Sequence, residues 1–179
     1  MTTPVRRTDR AQVSLETETA VRSWLDYESM LLDDMRRLHE WHDLVAQDVV
    51  YQVPVLVPRE FTSNLPDYPD GSYHMYDNWF TLKMRIDRLD GEHAWAEDPP
   101  SRLRRVVTGI VVTPGADETH VNVRSAFHLH RERLRFTPEL WAGERHDVLR
   151  REGDDFRLAQ RTVYLNHAVL PGAVLSFLF

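Results

Sequence analysis

The sequence contains no cysteine, and this absence removes several kinds of chemistry at once. A chain without thiols forms no disulfide, no cysteine zinc site and no cysteine nucleophile. Iron–sulfur clusters are held by thiolates, so the chain cannot ligate one in the usual way. Electron-transfer chemistry of that type is therefore excluded from this polypeptide.

The sequence also lacks an excess of positive charge and lacks long apolar runs. Lys and Arg number 22 against 28 Asp and Glu, which gives a formal net charge of −6. A nucleic-acid-binding protein needs an excess of cationic side chains, so that class is disfavoured. No window approaches the roughly 18 apolar residues of a membrane span, and residues 1–20 do not resemble a signal peptide. We expect a cytoplasmic chain that binds neither membrane nor nucleic acid.

The length of 179 residues predicts a single domain over residues 14–179, preceded by a polar arm over residues 1–13. Apolar residues recur at helical spacing in the N-terminal half, which indicates three amphipathic helices. Cap residues mark where they begin and end. The predicted helices run from Ser14 to Met35, from Leu38 to Asp48 with Leu38, Trp41 and Val45 on one side, and from Asp77 or Asn78 to Gly91.

Elsewhere apolar and polar residues alternate, which predicts β-strands. One strand covers Val49–Val57, where Pro54 and Pro58 place it at a sheet edge or end it. Residues 62–78 have the composition of a loop. Long antiparallel strands are predicted at Val106–Thr113, Glu118–Arg135, Leu140–Arg150 and Phe156–Leu165. Long strands curl, so the sequence predicts an α+β fold in which a cone-shaped curved antiparallel sheet packs against the three helices.

Two histidine pairs are candidates for a metal site. His39 and His42 lie three residues apart on the second helix, as in a non-haem ferrous site, or they are ordinary polar residues of a half-exposed face. His128 and His130 lie on one face of a strand, the geometry of some metal barrels. The neighbouring Arg124 would repel a metal ion, so an exposed sheet face or a polar interface is the alternative.

An acid–base pair inside the cone is a further candidate, because burial tunes carboxylates and imidazoles for dehydration or isomerisation. Spacing selects no pair, and aromatic and leucine side chains are numerous enough to fill the cavity. A turn that contains Arg102, Arg104 and Arg105 could clamp a phosphate or form a salt-bridged docking corner. The residues that could form the acid–base pair are Asp26, Tyr27, Asp48, Tyr51, His128 and His146.

Three stretches together resemble the β (small) subunit of aromatic-ring-hydroxylating dioxygenases. They are LLDDMRRLHEWHDLVAQDVVYQVPV (31–55), RIDRLDGEHAWAEDPPSRLRRVV (85–107) and RLAQRTVYLNHAVLPGAVLSFLF (157–179). The most specific part is AWAEDPPSRLRR (94–105), which combines an aromatic residue, acids, paired prolines and arginines. The likeness extends from about residue 17 to Phe179.

The resemblance implies an NTF2-like fold, as in scytalone dehydratase and cystatin-like domains. It implies an α subunit that carries a Rieske [2Fe–2S] centre and a mononuclear Fe(II), and an α3β3 complex with a β trimer. The family reaction is the cis-dihydroxylation of an aromatic ring with O2 and electrons from NAD(P)H, delivered by a ferredoxin and a reductase or by a reductase alone. This chain would then be a structural subunit with no catalytic, cofactor or metal residue. A free-standing dehydratase or isomerase and a small-molecule binding module remain the alternatives.

Interface residues are predicted from chemistry, since buried interface patches favour aromatic and arginine anchors. Leucines and aromatics on the helices are assigned to the core instead. The apolar end of the chain is expected to pack against protein, so that its deletion would weaken assembly. The predicted interface residues are Trp95, Pro99, Pro100, Arg102, Arg104, Arg105, Trp141, Phe177, Leu178 and Phe179.

Overall fold

The computed structural model describes residues 13–89, 100–134, 136–172 and 175–179. Within these ranges, two α-helices and two strands come first, followed by a third α-helix and four further strands. The helices are α1 (Leu15–Asp33), α2 (Leu38–His42) and α3 (Trp79–Asp87), with a 3-10 turn at Met35–Arg37 before α2. The strands are β1 (Val45–Pro54), β2 (Tyr73–Asp77), β3 (Arg102–Pro114), β4 (His120–Glu132), β5 (Glu139–Glu152) and β6 (Asp155–Leu165).

The predicted caps of α1 and α3 are confirmed. The Ser14 side chain accepts a hydrogen bond from the backbone N–H of Thr17. Asn78 and Thr81 form a reciprocal capping box at the start of α3, which satisfies two backbone donors that a helix leaves free. The predicted C′ residue Gly91 lies outside the described residues, but α3 ends earlier than predicted, at Asp87 with Arg88 as its C-cap. The predicted arm also lies outside the described residues apart from Val13, which packs on the core.

Several boundaries differ from the prediction, and β3 already begins at Arg102. Two of the differences arise because strand pairing overrides the local pattern. The second helix ends at His42, and Val45, expected on its apolar side, already belongs to β1, where it pairs with Leu158. The predicted loop over residues 62–78 contains β2, which pairs antiparallel with the end of β1. β1 itself stops at Pro54, one of the two prolines expected to end it.

The six strands form one open sheet in the order β2-β1-β6-β5-β4-β3. Neighbours are antiparallel except for β1 and β6, which are parallel, so the sheet is mixed and the prediction of a wholly antiparallel sheet is wrong at this pair. Two parallel strands must be joined by a crossover connection. Here that connection consists of all the residues between β1 and β6. The predicted α+β class, with a curved sheet that carries three helices, is confirmed.

Helix α1 covers the edge strand β3. The backbone N–H of Arg105 donates to the Asp33 carboxylate at 3.2 Å, and Arg22 donates to the carbonyl of Ile110 at 3.2 Å. These contacts satisfy backbone groups that an edge strand would offer to another sheet. A bulge after Thr108, with Gly109 at φ 61°, bends β3 at this edge.

The core lies between the helices and one face of the sheet. Along β4 every second residue from Val121 to Arg131 is buried, while the residues between them face outward. The Trp24 indole reaches across from α1 and donates to the carbonyl of Phe156 at 2.9 Å. The opposite, outer face of β3, β4 and β5 is largely exposed.

In the described part of the chain, no helix has both the length and the apolar character needed to cross a membrane.

Candidate functional site

Four aromatic side chains pack together in the interior of the cone. Phe177 and Phe179 pack against Trp141 with ring centroids 5.3 and 5.9 Å away, and Phe127 lies 5.6 Å from Phe179. All four side chains are buried. The region where a cone-shaped enzyme would bind a substrate is therefore occupied by the chain's own residues.

A buried ion network lies beside these rings. The Arg161 guanidinium donates to both oxygens of Asp147, at 2.8 and 2.7 Å, and to the main-chain oxygen of Phe179 at 2.7 Å. It also lies 2.8 Å from Glu28 Oε1. Arg145 Nη1 donates to Glu28 Oε2 at 3.2 Å. Two cations and two anions thus neutralise one another inside the core and join α1, β5, β6 and the end of the chain.

The two arginines of the network keep the Glu28 carboxylate ionised in the core. Burial by itself would raise the pKa of the Glu28 carboxyl, but Arg161 and Arg145 hold that pKa below its usual value. Burial would lower the pKa of Arg161, yet Asp147 and Glu28 raise it well above its usual value. The pKa of Arg145 is lowered, first by burial and then by the neighbouring Arg161. Charge-paired groups of this kind hold structure and do not exchange protons near neutral pH.

This pairing predicts an acid-labile fold. Because the Glu28 pKa is lowered in the folded chain, its stabilising contribution is present above the unfolded value of 4.5 and is lost as the pH falls through the folded value. We expect the urea midpoint to fall as the pH is lowered from 7 to below 4.5. The E28Q variant, unable to ionise there, should start less stable and show a shallower decline. An equal pH slope for both proteins would contradict the assignment.

This network is not among the features predicted from the sequence. Along β5, the buried positions Trp141, Gly143, Arg145, Asp147 and Leu149 alternate with more exposed ones. Charged residues in the apolar phase of a predicted strand are an available signal, because a buried charge needs a partner of opposite sign. The identity of the partner was not available, since Glu28 lies more than a hundred positions away in α1.

The acid–base candidates are dispersed. Of the six, Tyr51 alone is buried, and its hydroxyl donates to the main-chain oxygen of Phe179 at 3.1 Å. Asp48 is exposed and bound to Arg150 at 2.8 Å. His146 pairs with Glu144 in an outer-face groove of about 590 Å³, opposite the cone interior. The other three, Asp26, Tyr27 and His128, are also exposed. The arrangement gives no acid–base pair among these candidates inside the cone.

The histidine pairs also separate. The buried ring of His42 packs on Trp79 and contacts its carbonyl at 2.9 Å, while exposed His39 lies 3.9 Å from Asp87. His128 and His130 face outward from β4. Within the described ranges, no three His, Asp or Glu side chains converge to hold a metal ion. With no cysteine in the sequence, the donor set does not fit a Rieske cluster.

Comparison with known proteins identifies the family. The profile of the ring-hydroxylating β subunit matches residues 27–172. The β subunit of biphenyl 2,3-dioxygenase from Rhodococcus jostii strain RHA1 is 32% identical over 177 residues, which cover 97% of this chain and 94% of the relative. The chain belongs to the ring-hydroxylating β-subunit family. The resemblance seen in the sequence is confirmed.

Solved structures support the fold of this β-subunit family member. A chain of naphthalene 1,2-dioxygenase with bound indole superposes with a TM-score of 0.78 at 24% identity, covering 97% of this chain and 94% of that one. A Novosphingobium aromaticivorans protein that bears the name of a scytalone dehydratase superposes with a TM-score of 0.63 at 14% identity, covering 90% and 96%. The expected NTF2-like architecture is therefore correct.

Several predicted interface residues lie in this β-subunit chain's own core. Trp141, Phe177, Leu178 and Phe179 are all at most 4% exposed. The rings of Trp141, Phe177 and Phe179 pack on one another. The backbone N–H of Phe179 donates to the Tyr51 hydroxyl at 2.9 Å. The apolar end packs against this same chain, so these four side chains expose almost no surface to a partner in the single chain. The expected effect of its deletion on assembly stays a prediction.

The arginine corner divides into a buried and an exposed part. Arg105 is buried, donates from Nε to Asp33 at 2.8 Å and from Nη2 to the carbonyl of Leu32 at 2.8 Å, and so fastens β3 to α1. Pro100, Arg102 and Arg104 are exposed. Their assignment to an interface remains a prediction. Trp95 and Pro99 lie outside the described residues.

Proposed function

We propose that this chain is the non-catalytic structural β subunit of an aromatic-ring-hydroxylating dioxygenase. Its α subunits cis-dihydroxylate an aromatic hydrocarbon or aromatic acid with O2 and electrons from NAD(P)H. We place the Rieske [2Fe–2S] centre and the mononuclear Fe(II) on the α subunit, and the complex in the cytoplasm, where NAD(P)H is available. A ferredoxin and a reductase, or a reductase alone, deliver the electrons.

The observation that carries this proposal is the cluster of buried aromatic rings and charge-paired carboxylates inside the cone. Trp141, Phe177 and Phe179 occupy the interior, and the neighbouring carboxylates of Glu28 and Asp147 are bound by arginines. A catalytic carboxylate has to be reachable by a substrate and able to exchange a proton. The described interior favours a rigid support over a free-standing dehydratase or a small-molecule binding module.

We further propose an α3β3 complex in which the β chains form a trimer and hold the α subunits in register. Electron transfer between metal centres depends on their separation, so the supporting geometry is itself a contribution to activity. The exposed corner formed by Pro100, Arg102 and Arg104 is assigned to a subunit interface. Exposed arginines suit such contacts because the guanidinium forms bidentate bonds with carboxylates.

The test is the composition of the complex purified from the native host through a tag on this chain. We expect a larger polypeptide in equal amount, together with iron and acid-labile sulfide. The control is the same tagged chain produced alone, which should carry neither and convert no aromatic substrate. Turnover by the isolated chain, or a native preparation without an iron-bearing partner, would overturn the proposal.

A further inference from the structure

A group of exposed side chains lies on the outer face of the sheet near the β3 edge. Cross-strand pairing places Arg104 opposite His130 and His130 opposite Leu140, with Val106 opposite His128 in the adjacent row. The Arg104 side chain is 79% exposed, and Val106 and Leu140 are 61% and 55% exposed. We name this surface the Arg104 patch, defined by Arg102, Arg104, Val106, His128, His130 and Leu140.

The Arg104 patch combines cationic and apolar side chains: Arg102, Arg104 and Val106 lie on β3 and Leu140 lies on β5, with His128 and His130 of β4 between them. Its six members include two arginines and no carboxylate, although the chain as a whole carries a formal net charge of −6. Glu132 stands opposite Arg102 at the margin, and Asp33 approaches Arg104 to 3.8 Å from α1. Exposed aliphatic groups close to arginines are typical of a surface that another protein covers. A complementary surface carries both carboxylates and apolar side chains.

A surface of that description exists on this same chain. The segment over residues 58–70, which we name the Phe61 loop, is exposed except at Tyr68 and Pro69. It carries the carboxylates Glu60, Asp67 and Asp70 against the single cation Arg59. The Phe61 side chain is fully exposed and Leu65 is 62% exposed. The loop is thus acidic with two apolar side chains at its tip.

Hydrogen bonds hold the Phe61 loop in place. The backbone N–H of Ser63 donates to the carbonyl of Glu60 at 2.8 Å, which closes a turn with Phe61 at its second position. At the end of the loop, the Tyr68 hydroxyl donates to the carbonyl of Leu165 at 2.8 Å, and its ring packs on Tyr164 at 4.9 Å. A loop already ordered in the single chain loses less entropy when it docks than a disordered one does.

The loop and the patch belong to opposite ends of the strand order. The Phe61 loop joins β1 to β2, the edge strand at one side, and the Arg104 patch lies on β3, β4 and β5 at the other. A contact between the loop of one copy and the patch of the next therefore joins two different surfaces. Such head-to-tail contacts close into a ring when the rotation per copy allows it.

We propose that the Arg104 patch is occupied by the Phe61 loop of a second copy of this chain. Phe61 and Leu65 cover Val106 and Leu140, while Glu60 and Asp67 face Arg102 and Arg104. The contact repeats around a three-membered ring, and this number of copies rests on the proposed function. In this proposal the Phe61 loop, for which the sequence predicts no role, forms part of the contact between copies.

The absence of cysteine allows a direct test by engineered disulfides. E60C and R104C full-length chains with different tags are co-expressed, purified and oxidised mildly. We expect one dominant product that carries both tags, and a covalent trimer from the doubly substituted E60C/R104C chain. Disulfides between two E60C chains or two R104C chains, ladders beyond three copies, a link within one chain, or no disulfide would each overturn the proposal.

Charge reversal provides a second test that does not depend on cysteine geometry. R104E and E60R should each weaken self-association by about tenfold or more, and the R104E/E60R double variant should recover most of the loss. R151E, which reverses an exposed arginine at the opposite end of β5 from Leu140, is the matched control and should leave self-association unchanged. Failure of the double variant to recover would show that the two surfaces do not meet.

Iron analysis of the native complex separates this inference from the proposed function. A wild-type chain that copurifies with an iron-bearing larger subunit, while the mixed disulfide fails to form, rejects the ring contact and leaves the proposed function intact. The mixed disulfide without any iron-bearing partner rejects the proposed function and supports the contact. An R104E chain that keeps its self-association but loses the larger subunit would assign the patch to that subunit and overturn the inference.

Discussion

Replacement of Arg161 by methionine should cost about 3–5 kcal/mol of unfolding free energy, the range for breaking a buried ion pair on one side. Arg161 is fully buried and binds both Asp147 and Glu28. Methionine fills much of the volume but donates no hydrogen bond, so Asp147 would lose its two bonds from this guanidinium. The main-chain oxygen of Phe179 would also lose a donor. A loss of this size is a large part of the stability of a typical domain.

The matched control is R157M, the same substitution four residues earlier in β6. The Arg157 side chain is 37% exposed and lies 3.7 Å from Glu152, so its loss should cost less than about 1 kcal/mol. Urea unfolding at one fixed chain concentration measures both variants, because self-association contributes to apparent stability. Equal midpoints for R161M and R157M would refute the structural role given to the network. If R161M does not accumulate in folded form, R161K tests the same point.

The second large effect is expected from Phe179→Ala, which should destabilise the fold by about 3–5 kcal/mol. Phe179 is 1% exposed, and its ring packs against Phe127, Trp141 and Phe177. Alanine would leave a cavity among three aromatic rings that are themselves fixed by neighbours. Such a cavity collapses poorly, so both the transfer energy and the packing energy are lost.

F80A is the control for this substitution. Phe80 lies on α3 and is 62% exposed, so its truncation should change the unfolding free energy by no more than about 0.5 kcal/mol. Near-ultraviolet circular dichroism and urea unfolding should be recorded before assembly is measured. If F179A folds with wild-type stability yet fails to assemble, the terminal aromatics act at an interface after all. Loss of stability in the isolated chain supports the core assignment.

Local sequence signals predicted most of the helices and strands. Ser14 and Asn78 cap α1 and α3 as expected, because capping is a contact over three residues. The alternation of apolar and polar residues along β4 can be seen in the sequence without knowledge of its partner strands. β2 was missed because its five residues follow a stretch rich in proline, aspartate and glycine. Its strand state depends on pairing with β1, which local composition does not report.

The candidate site was predicted less completely than the fold. Arg102 and Arg104 are exposed, and their place in an interface stays a prediction. Arg105, which directly follows Arg104 in the sequence, binds Asp33 inside the chain. Alternation alone separates these positions, since Arg105 occupies the inward phase of β3. The burial of Trp141 could not be inferred, because an aromatic residue suits a core and an interface equally well.

Composition by itself determined that this polypeptide holds no thiolate-ligated cluster, since the donor atoms are missing. Local pattern determined the fold class, and similarity along the chain determined the family. Tertiary structure alone decided that the terminal aromatics close their own cone and that Glu28 meets Arg145 and Arg161. Both outcomes join segments that are distant in the sequence, and in the Glu28 network the separation exceeds a hundred residues. Such contacts form only when the sheet and helices are packed together.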